Sequence, residues 1–452
     1  MSSLDELLTQ VDFMKDEIIQ LAQDLVRIPS VNTGFMPTGN ETSVCRYAED
    51  YLAVDGIQSE TLERVAGRGN FIAGLSGRSG KSGLMFMSHT DVVPVEDESK
   101  WRFPPFSAQI HDGRIYGRGS NDCKGLLAAH LVAMRLLKRN GVDLRDGLLL
   151  VSGADEEHGG RYGFGWLKEN HPEKITAPYA VNEGGGETIK AAGNTTYVIG
   201  VGEKGRLQIE IDVKGTSSHA SVPWQGTNAA YRLGNTLQRI EGFEADRDTT
   251  TSLFDHLSTF AIEHKPSSEN IDQIIAELQD DNPRLASLLR ALSRMTLTPT
   301  IVKGGIKSNS VPEAIRLTCD VRTLPHQDEE YVRSELVKIL EGLPGVEFEI
   351  DYMARPNSSP FDTEFVNRIK RVTEQVLMRE DLQWVPGIST GFTDSRFTRL
   401  LGVETYGFSA FHPEDDPMLG KAHGTDESIG LLSLINASKV MLALAYETLS
   451  EK

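Results

Sequence analysis

Positive charge is in short supply in this chain. Its 452 residues carry 46 Lys and Arg against 65 Asp and Glu, a formal net charge of −19. Nucleic-acid binding needs clustered cations that neutralise phosphates, so no nucleic-acid partner is expected. An anionic small molecule stays open, because a few local arginines outweigh a global sign. Cysteine is scarce too. Cys45, Cys123 and Cys319 are odd in number and far apart, which argues against a disulfide framework and for a reducing cytoplasm. No apolar run reaches 18 residues, so no membrane-spanning helix is expected. The opening "MSSLDELLTQVDFMKDE" lacks a basic start followed by an apolar segment, and no secretory signal is read from it. The four Asn-x-Ser/Thr matches, at Asn40, Asn194, Asn357 and Asn436, are therefore read as chance.

The length leaves room for two domains and a sizeable core. Apolar periodicity predicts helices over 5–28, 43–55 and 124–139, and strands over 70–75, 83–88 and 147–153. Strands alternating with helices of this length suggest a mainly parallel α/β sheet. Near residue 204 the texture changes. "RLQIEIDVKG" places Leu207, Ile209, Ile211 and Val213 on one face, as a half-buried antiparallel strand does. A helix over 227–241, a strand over 315–321, a helix over 328–342 and a strand over 345–352 complete a β-α-β-α-β series. These define a smaller α+β (ferredoxin-like) domain, 204–355, with an insertion at 246–297 whose part 270–292 is helical in pattern. After Pro360 the α/β texture returns, so the first domain, 1–203 and 356–452, is interrupted by the second. "GVGEKG" (200–205) has the spacing of a dinucleotide loop but opens a strand where that motif must open a helix, and it is rejected.

Five segments put His, Asp or Glu just after apolar strands or near the C-terminus. They are "LMFMSHTDVVP" with His89 and Asp91, "IYGRGSNDCKG" with Asp122, "LLLVSGADEEHGG" with Asp155, Glu156, Glu157 and His158, "YAVNEGGG" with Glu183, and "KAHGTDES" with His423. Ligands of open α/β folds bind beyond the carboxyl ends of strands, so these segments can converge on one cleft. Imidazoles and carboxylates form a zinc-compatible set, and a shared carboxylate can hold two metals. Singly, each has a plainer reading: His-x-Asp is ordinarily a loop hydrogen bond, and Glu-Glu a solvated surface. Only the set argues for chemistry.

The ordered motifs "SHTDVVP", "GRGSNDCKG", "DEEHGG", "NEGGG", "GTSSHAS", "NSVPE", "DVRTLP" and "AHGTDE" resemble the M20 family of metallopeptidases and amidohydrolases over nearly the whole chain. That family includes aminoacylase, carboxypeptidase G, acetylornithine deacetylase and succinyl-diaminopimelate desuccinylase. The resemblance implies a mixed-sheet zinc-hydrolase catalytic domain interrupted by a lid and dimerisation domain. It implies that His89, Asp122 and Glu183 bind one Zn²⁺ and that Asp122, Glu157 and His423 bind a second, with Mn²⁺ or Co²⁺ as alternatives. The family often has aspartate where this chain has Glu183; a glutamate there looks like the aminoacylase and carboxypeptidase S branches, and an alignment shifted by one would put Asn182 there, a poorer ligand for lack of charge. Glu156 would be the general base on a metal-bridging water, and Asp91 would orient His89. His219 would hold the oxyanion in the site of a partner subunit, which makes a homodimer necessary. Arg322 would grip a substrate carboxylate, for which the guanidinium fork is suited, and Asn309 of the same domain would also bind substrate. "STGFTDSR" (389–396), with Gly391 and Thr393, looks like the glycine-rich loop of the substrate pocket.

The function so implied is hydrolysis of the amide bond of an N-acyl amino acid or small peptide with a free carboxylate. Two alternatives keep the fold: hydrolysis or deamination at another C–N bond, and a non-catalytic binding protein. The second predicts a missing ligand or base, and here every position is filled.

Overall fold

The computed structural model describes residues 3–191 and 193–450. Its larger part is built on a ten-stranded mixed sheet, in which Gly69–Leu75, Gly147–Gly153, Ser82–His89, Tyr179–Asn182 and Glu404–Gly407 lie side by side in that order. Within Ser82–His89 successive side chains alternate between two cores. Leu84 and Phe86 pack with the buried helices Gly125–Arg139 and Leu431–Leu449, whereas Met85 and Met87 pack with Phe164, Leu167 and Val403 on the opposite side. Both sheet faces are covered, which is why these strands read as unbroken apolar runs.

Strands Ser82–His89, Gly147–Gly153 and Tyr179–Asn182 run parallel, with His89 in register with Gly153. Their carboxyl ends therefore release the chain on one edge of the sheet. That single fact brings His89, Glu156, Glu157 and Glu183 together.

The smaller part is a four-stranded antiparallel sheet in the order Thr296–Gly304, Ala314–Thr323, Gly205–Lys214, Val346–Ala354. Helices Ala229–Glu241 and Glu329–Leu340 cover it, closing a separate core around Leu207, Ile209, Ile211, Leu317 and Val321. In chain order this is β-α-β-β-α-β, the ferredoxin-like arrangement. The strand Thr296–Gly304 has no counterpart in the sequence reading. It is an outer strand, exposed over most of its length, with a register shift beside Pro299. Such a strand has neither an apolar alternation nor a full set of donors to announce it.

Two other elements differ in detail. The helix read over 5–28 is two, Leu4–Phe13 and Lys15–Arg27, meeting at Met14. Leu4–Phe13 packs on Leu431–Leu449 and Lys15–Arg27 on Gly125–Arg139, so each follows its own neighbour. The helical stretch 270–292 is also two, Ile271–Leu278 and Pro283–Leu292. Asn282 caps the second by accepting from the Leu285 amide (3.1 Å), with Pro283 at its first position. A 3₁₀ segment, Ser252–Phe260, precedes them. Leu253, Phe254, Leu257, Phe260, Ile271, Leu285 and Leu289 bury into the core of the large sheet, not into that of the small one.

Lys204, between Asn194–Glu203 and Gly205–Lys214, is 1% exposed, and its Nζ donates to the carbonyls of Ala291 (2.6 Å) and Arg294 (2.8 Å). It thus ties down the C-terminal end of Pro283–Leu292. Burial, helped by Arg322 and Arg294, pushes its pKa down to about 8. Below that value both folded and unfolded chains carry the proton. As pH rises from about 8 towards the ordinary lysine range near 10.5, the unfolded chain holds more protons, so this lysine's contribution to stability grows. The stability of wild type relative to Lys204→Met, followed by urea unfolding from pH 7.5 to 10, should therefore rise with pH; a constant difference would count against this.

Candidate metal centre and active site

The ligating atoms gather in two clusters that share Asp122. His89 Nε2 lies 2.8 Å from Asp122 Oδ1 and 3.5 Å from Glu183 Oε1. On the other side His423 Nε2 lies 3.2 Å from Asp122 Oδ2 and 2.9 Å from Glu157 Oε2. Within each cluster the atoms that could hold a metal ion fall within 4.8 Å of one another. The first cluster also contains Cys123. Burial raises its thiol pKa to about 12, and its Sγ accepts from the His89 amide (3.2 Å).

Several of these residues are braced by partners beneath them. The carbonyl of Asp91 takes the His89 Nδ1 proton at 3.0 Å, which fixes the tautomer and turns Nε2 inward. The Asp91 carboxylate, 3.5 Å from the same nitrogen, accepts the backbone amides of Glu156 (3.1 Å) and Glu157 (3.2 Å) and the side-chain amide of Asn32 (2.8 Å). Asp155 has a left-handed backbone (φ 63°) and accepts from Asn32 (3.0 Å), Arg68 (3.0 Å) and the Tyr162 amide (3.1 Å). Arg68 in turn pairs with buried Glu41 at 2.7 Å. On the far side, Glu427 accepts the amides of Asn121 (3.0 Å) and Asp122 (3.1 Å) and the Arg118 guanidinium (2.6 Å). Arg118 also donates to the His423 carbonyl at 3.1 Å. Asn182 turns away from the clusters to donate to Ser395 (3.0 Å) and Thr393 (3.3 Å), so it is Glu183 that faces His89.

Electrostatics separate the two neighbouring acids. Burial raises the Glu156 carboxyl well above its ordinary range, and Glu183, Asp394 and Glu157 add to this against the opposing pull of His89. Glu157 is also raised by burial, but its contact with His423 pulls it back. Contacts with Asp122 and Glu157 raise His423 to about 10. Burial alone would depress the His89 imidazolium, and the surrounding acids outweigh it.

Residues 85–447 match the model of peptidase family M20/M25/M40. This chain belongs to that family. Over 421 residues it is 26% identical to a probable succinyl-diaminopimelate desuccinylase of Staphylococcus aureus strain MRSA252, covering 92% of this chain and 94% of that protein. The fold is shared with an M20 family metallo-carboxypeptidase from Sulfolobus solfataricus (TM-score 0.71, 21% identity, 95% and 99% of the two chains). It is shared also with a di-peptidase of Saccharomyces cerevisiae (TM-score 0.68, 15% identity, 99% and 98%). A Bacillus subtilis structure described as a dinuclear metal binding peptidase from the M20 family superposes with a TM-score of 0.59 at 16% identity, over 97% and 99% of the two chains. The protein is thus an M20 hydrolase with candidate ligands for metal.

The other residues expected of an M20 site make the following contacts. His219 is exposed on the small sheet's side, with Nδ1 2.7 Å from Ser221 Oγ, and the Asn309 carbonyl accepts from the neighbouring Ala220 amide at 3.0 Å. Arg322 reaches the loop 389–396, donating to the Thr390 carbonyl (2.9 Å) and to Asp320 (2.7 Å). Thr393 spends its hydroxyl and amide on Glu203 (2.7 and 3.1 Å), and the Gly391 amide bonds Ser389 (3.1 Å).

Sequence reasoning missed the supports Asn32, Glu41, Arg68 and Glu427, and the buried acid Asp394. Glu427 was quoted inside "KAHGTDES", four residues after His423, but nothing in spacing separates a brace from a bystander. Asp394 is buried with neither carboxylate oxygen bonded to another described residue, its pKa pushed well up by burial. Arg68 is the sharpest test of this shell. Arg68→Met strands Glu41 and Asp155 as buried acids without their cation, and should cost about 3–5 kcal/mol of stability in urea unfolding, the range for removing one partner of a buried pair.

Proposed function

We propose that this chain hydrolyses an amide bond of an N-acyl amino acid or small peptide bearing a free carboxylate, in the cytoplasm, as a homodimer. The observation that carries the reading is Asp122, whose two oxygens each face a different histidine-and-glutamate cluster. The donor set fits two divalent ions. His89, Asp122 and Glu183 would hold one, and Asp122, Glu157 and His423 the other, Zn²⁺ being expected and Mn²⁺ or Co²⁺ compatible with the same donors. Such ions, when bound, polarise a carbonyl and acidify water.

Everything else falls to the chain. Glu156 removes a proton from the attacking water and delivers it to the leaving nitrogen, which suits a carboxyl whose burial raises its pKa well above the ordinary range. No hydrogen bond or ion pair ties that carboxylate to another described residue, so it is free to carry the proton. Asp91 keeps His89 in one tautomer and orients the turn that points Glu156 and Glu157 apart. Arg322 and Asn309 receive the substrate carboxylate, with Gly391 and Thr393 shaping the adjoining loop. The desuccinylase and carboxypeptidase relatives, whose names imply amide substrates with carboxylates, support that substrate class.

His219, exposed on the 204–355 domain, is assigned to the site of a partner subunit. Two observations support pairing through that domain: the outer strand Thr296–Gly304 leaves Ile301 and Val302 exposed, and Trp224 and Ile306 are also bare, at 77% and 99% exposure.

Glu156→Gln should retain two metal ions per chain and lose turnover by about 10²–10⁴-fold, the usual share of a general acid–base group. Glu157→Gln should lose metal. Metal analysis alongside a hydrolysis assay on N-acyl amino acids separates the two, and normal turnover by metal-replete Glu156→Gln would sink the assignment. Ile306→Asp combined with Val302→Asp should yield monomers in analytical ultracentrifugation and about 10²–10³-fold lower kcat, the scale of losing one oxyanion donor. Fully active monomers would exclude a role for His219 across subunits.

A further inference from the structure

We propose that the insertion walls a substrate compartment beside the reacting centre, and that this compartment selects an extended or bulky apolar group on the substrate. This rests on the amide-hydrolase reading above and extends it to specificity.

A cavity of about 830 Å³ has Asp122 and Glu183 in its wall, so it opens onto the proposed metal centre. The same wall includes Leu253 and Phe260 of the 3₁₀ segment and Leu285 and Leu288 of Pro283–Leu292. Ile189, Val198, Ile388 and Phe411 come from the large sheet and its loops. Such a space is on the scale of pockets that enclose whole small-molecule ligands, far more than an acetyl group needs. The insertion is placed to be a wall and not a loose flap. Leu253 and Leu285 are 2% and 3% exposed within the large core, and Lys204 holds the end of the last helix by two carbonyls.

The charges of the lining argue for an apolar occupant. Besides Asp122 and Glu183, the charged side chains are Glu187 and Arg284, which are opposite in sign and attract one another. Arg284 lies at the exposed rim, where its Nη1 contacts Met418 Sδ at 3.6 Å, and burial raises the Glu187 carboxyl, so neither places a buried ionic contact in the depth of the wall. Asparagines, serines and a threonine also border the space, but its large side chains are mostly hydrocarbon, and each methylene buried against them should tighten binding by up to about fourfold. The occupant is either the acyl chain or the amino-acid side chain of the substrate; both present the same chemistry to these walls.

Calorimetric titration of the zinc-loaded full-length protein distinguishes them. Octanoate against acetate probes the acyl source, and phenylalanine against glycine the side-chain source. In at least one arm the apolar probe should bind about thirtyfold tighter or more than its short counterpart. Leu288→Trp, which fills the compartment from the insertion, should cut that preference at least tenfold while leaving acetate or glycine binding unchanged. Ile189→Phe, on the opposite wall, should do the same if Leu288→Trp does not fold. Less than a threefold preference in both arms, or a preference untouched by the folded filling variants, overturns the proposal. Because the readout is binding, a clear preference in a protein that cleaves no N-acyl amino acid would overturn only the hydrolase reading, and hydrolysis without preference only the compartment.

Discussion

Asp91 is the residue on which the candidate centre depends. Its main-chain carbonyl sets the proton of His89, and its carboxylate collects the amides of Glu156 and Glu157 and the side chain of Asn32. A carboxylate that accepts three N–H groups is held in one place, with its charge satisfied by donors instead of water. From Asp91 the chain of contacts continues through Asn32 to Asp155, and through Arg68 to Glu41. The turn after Gly147–Gly153 is thereby fastened to the loop after Ser82–His89 from below, leaving the acids above it to face the cleft.

That fastening explains how adjacent acids acquire different work. With both amides pinned, Glu156 and Glu157 leave the turn in different directions. Glu157 meets His423, and Glu156 ends in a buried position with no hydrogen-bond or ion-pair partner among the described residues. Burial raises Glu183 to about 7 and lifts Glu156 well above the ordinary carboxyl range, because so many acids crowd one low-dielectric space. Dications are the natural relief for such crowding, since ligands that must be deprotonated bind metal at the expense of protons.

How much of this was readable from sequence follows from what each residue answers to. The strands carrying the site were legible because both faces are buried and the apolar run is continuous. The clustering was legible because parallel strands release their loops on one edge. The outer strand Thr296–Gly304 was not, since its side chains meet solvent and Pro299 interrupts its ladder. Nor were Arg68 and Glu41, whose value comes only from being brought 2.7 Å apart across 27 residues of chain. Glu427 shows the limit most clearly: it sits inside a recognised motif, yet its role as the acceptor for the Asp122 loop depends on a contact 305 residues away in sequence.

The insertion carries the same lesson into specificity. In sequence it interrupts the small domain, and composition alone assigns it there. In space its apolar faces follow the large sheet, because Leu253, Phe254, Ile271 and Leu285 have more to bury against Val198 and Val385 than against the closed core of the four-stranded sheet. A segment anchored at both ends in one domain and packed on the other restricts how far the two parts can separate. Lys204, at the crossing between them, adds a direct tie. The space enclosed beside Glu183 is thus set by the same packing that holds the two domains together, so changes in this segment should alter which substrate fits before they alter the chemistry at Asp122.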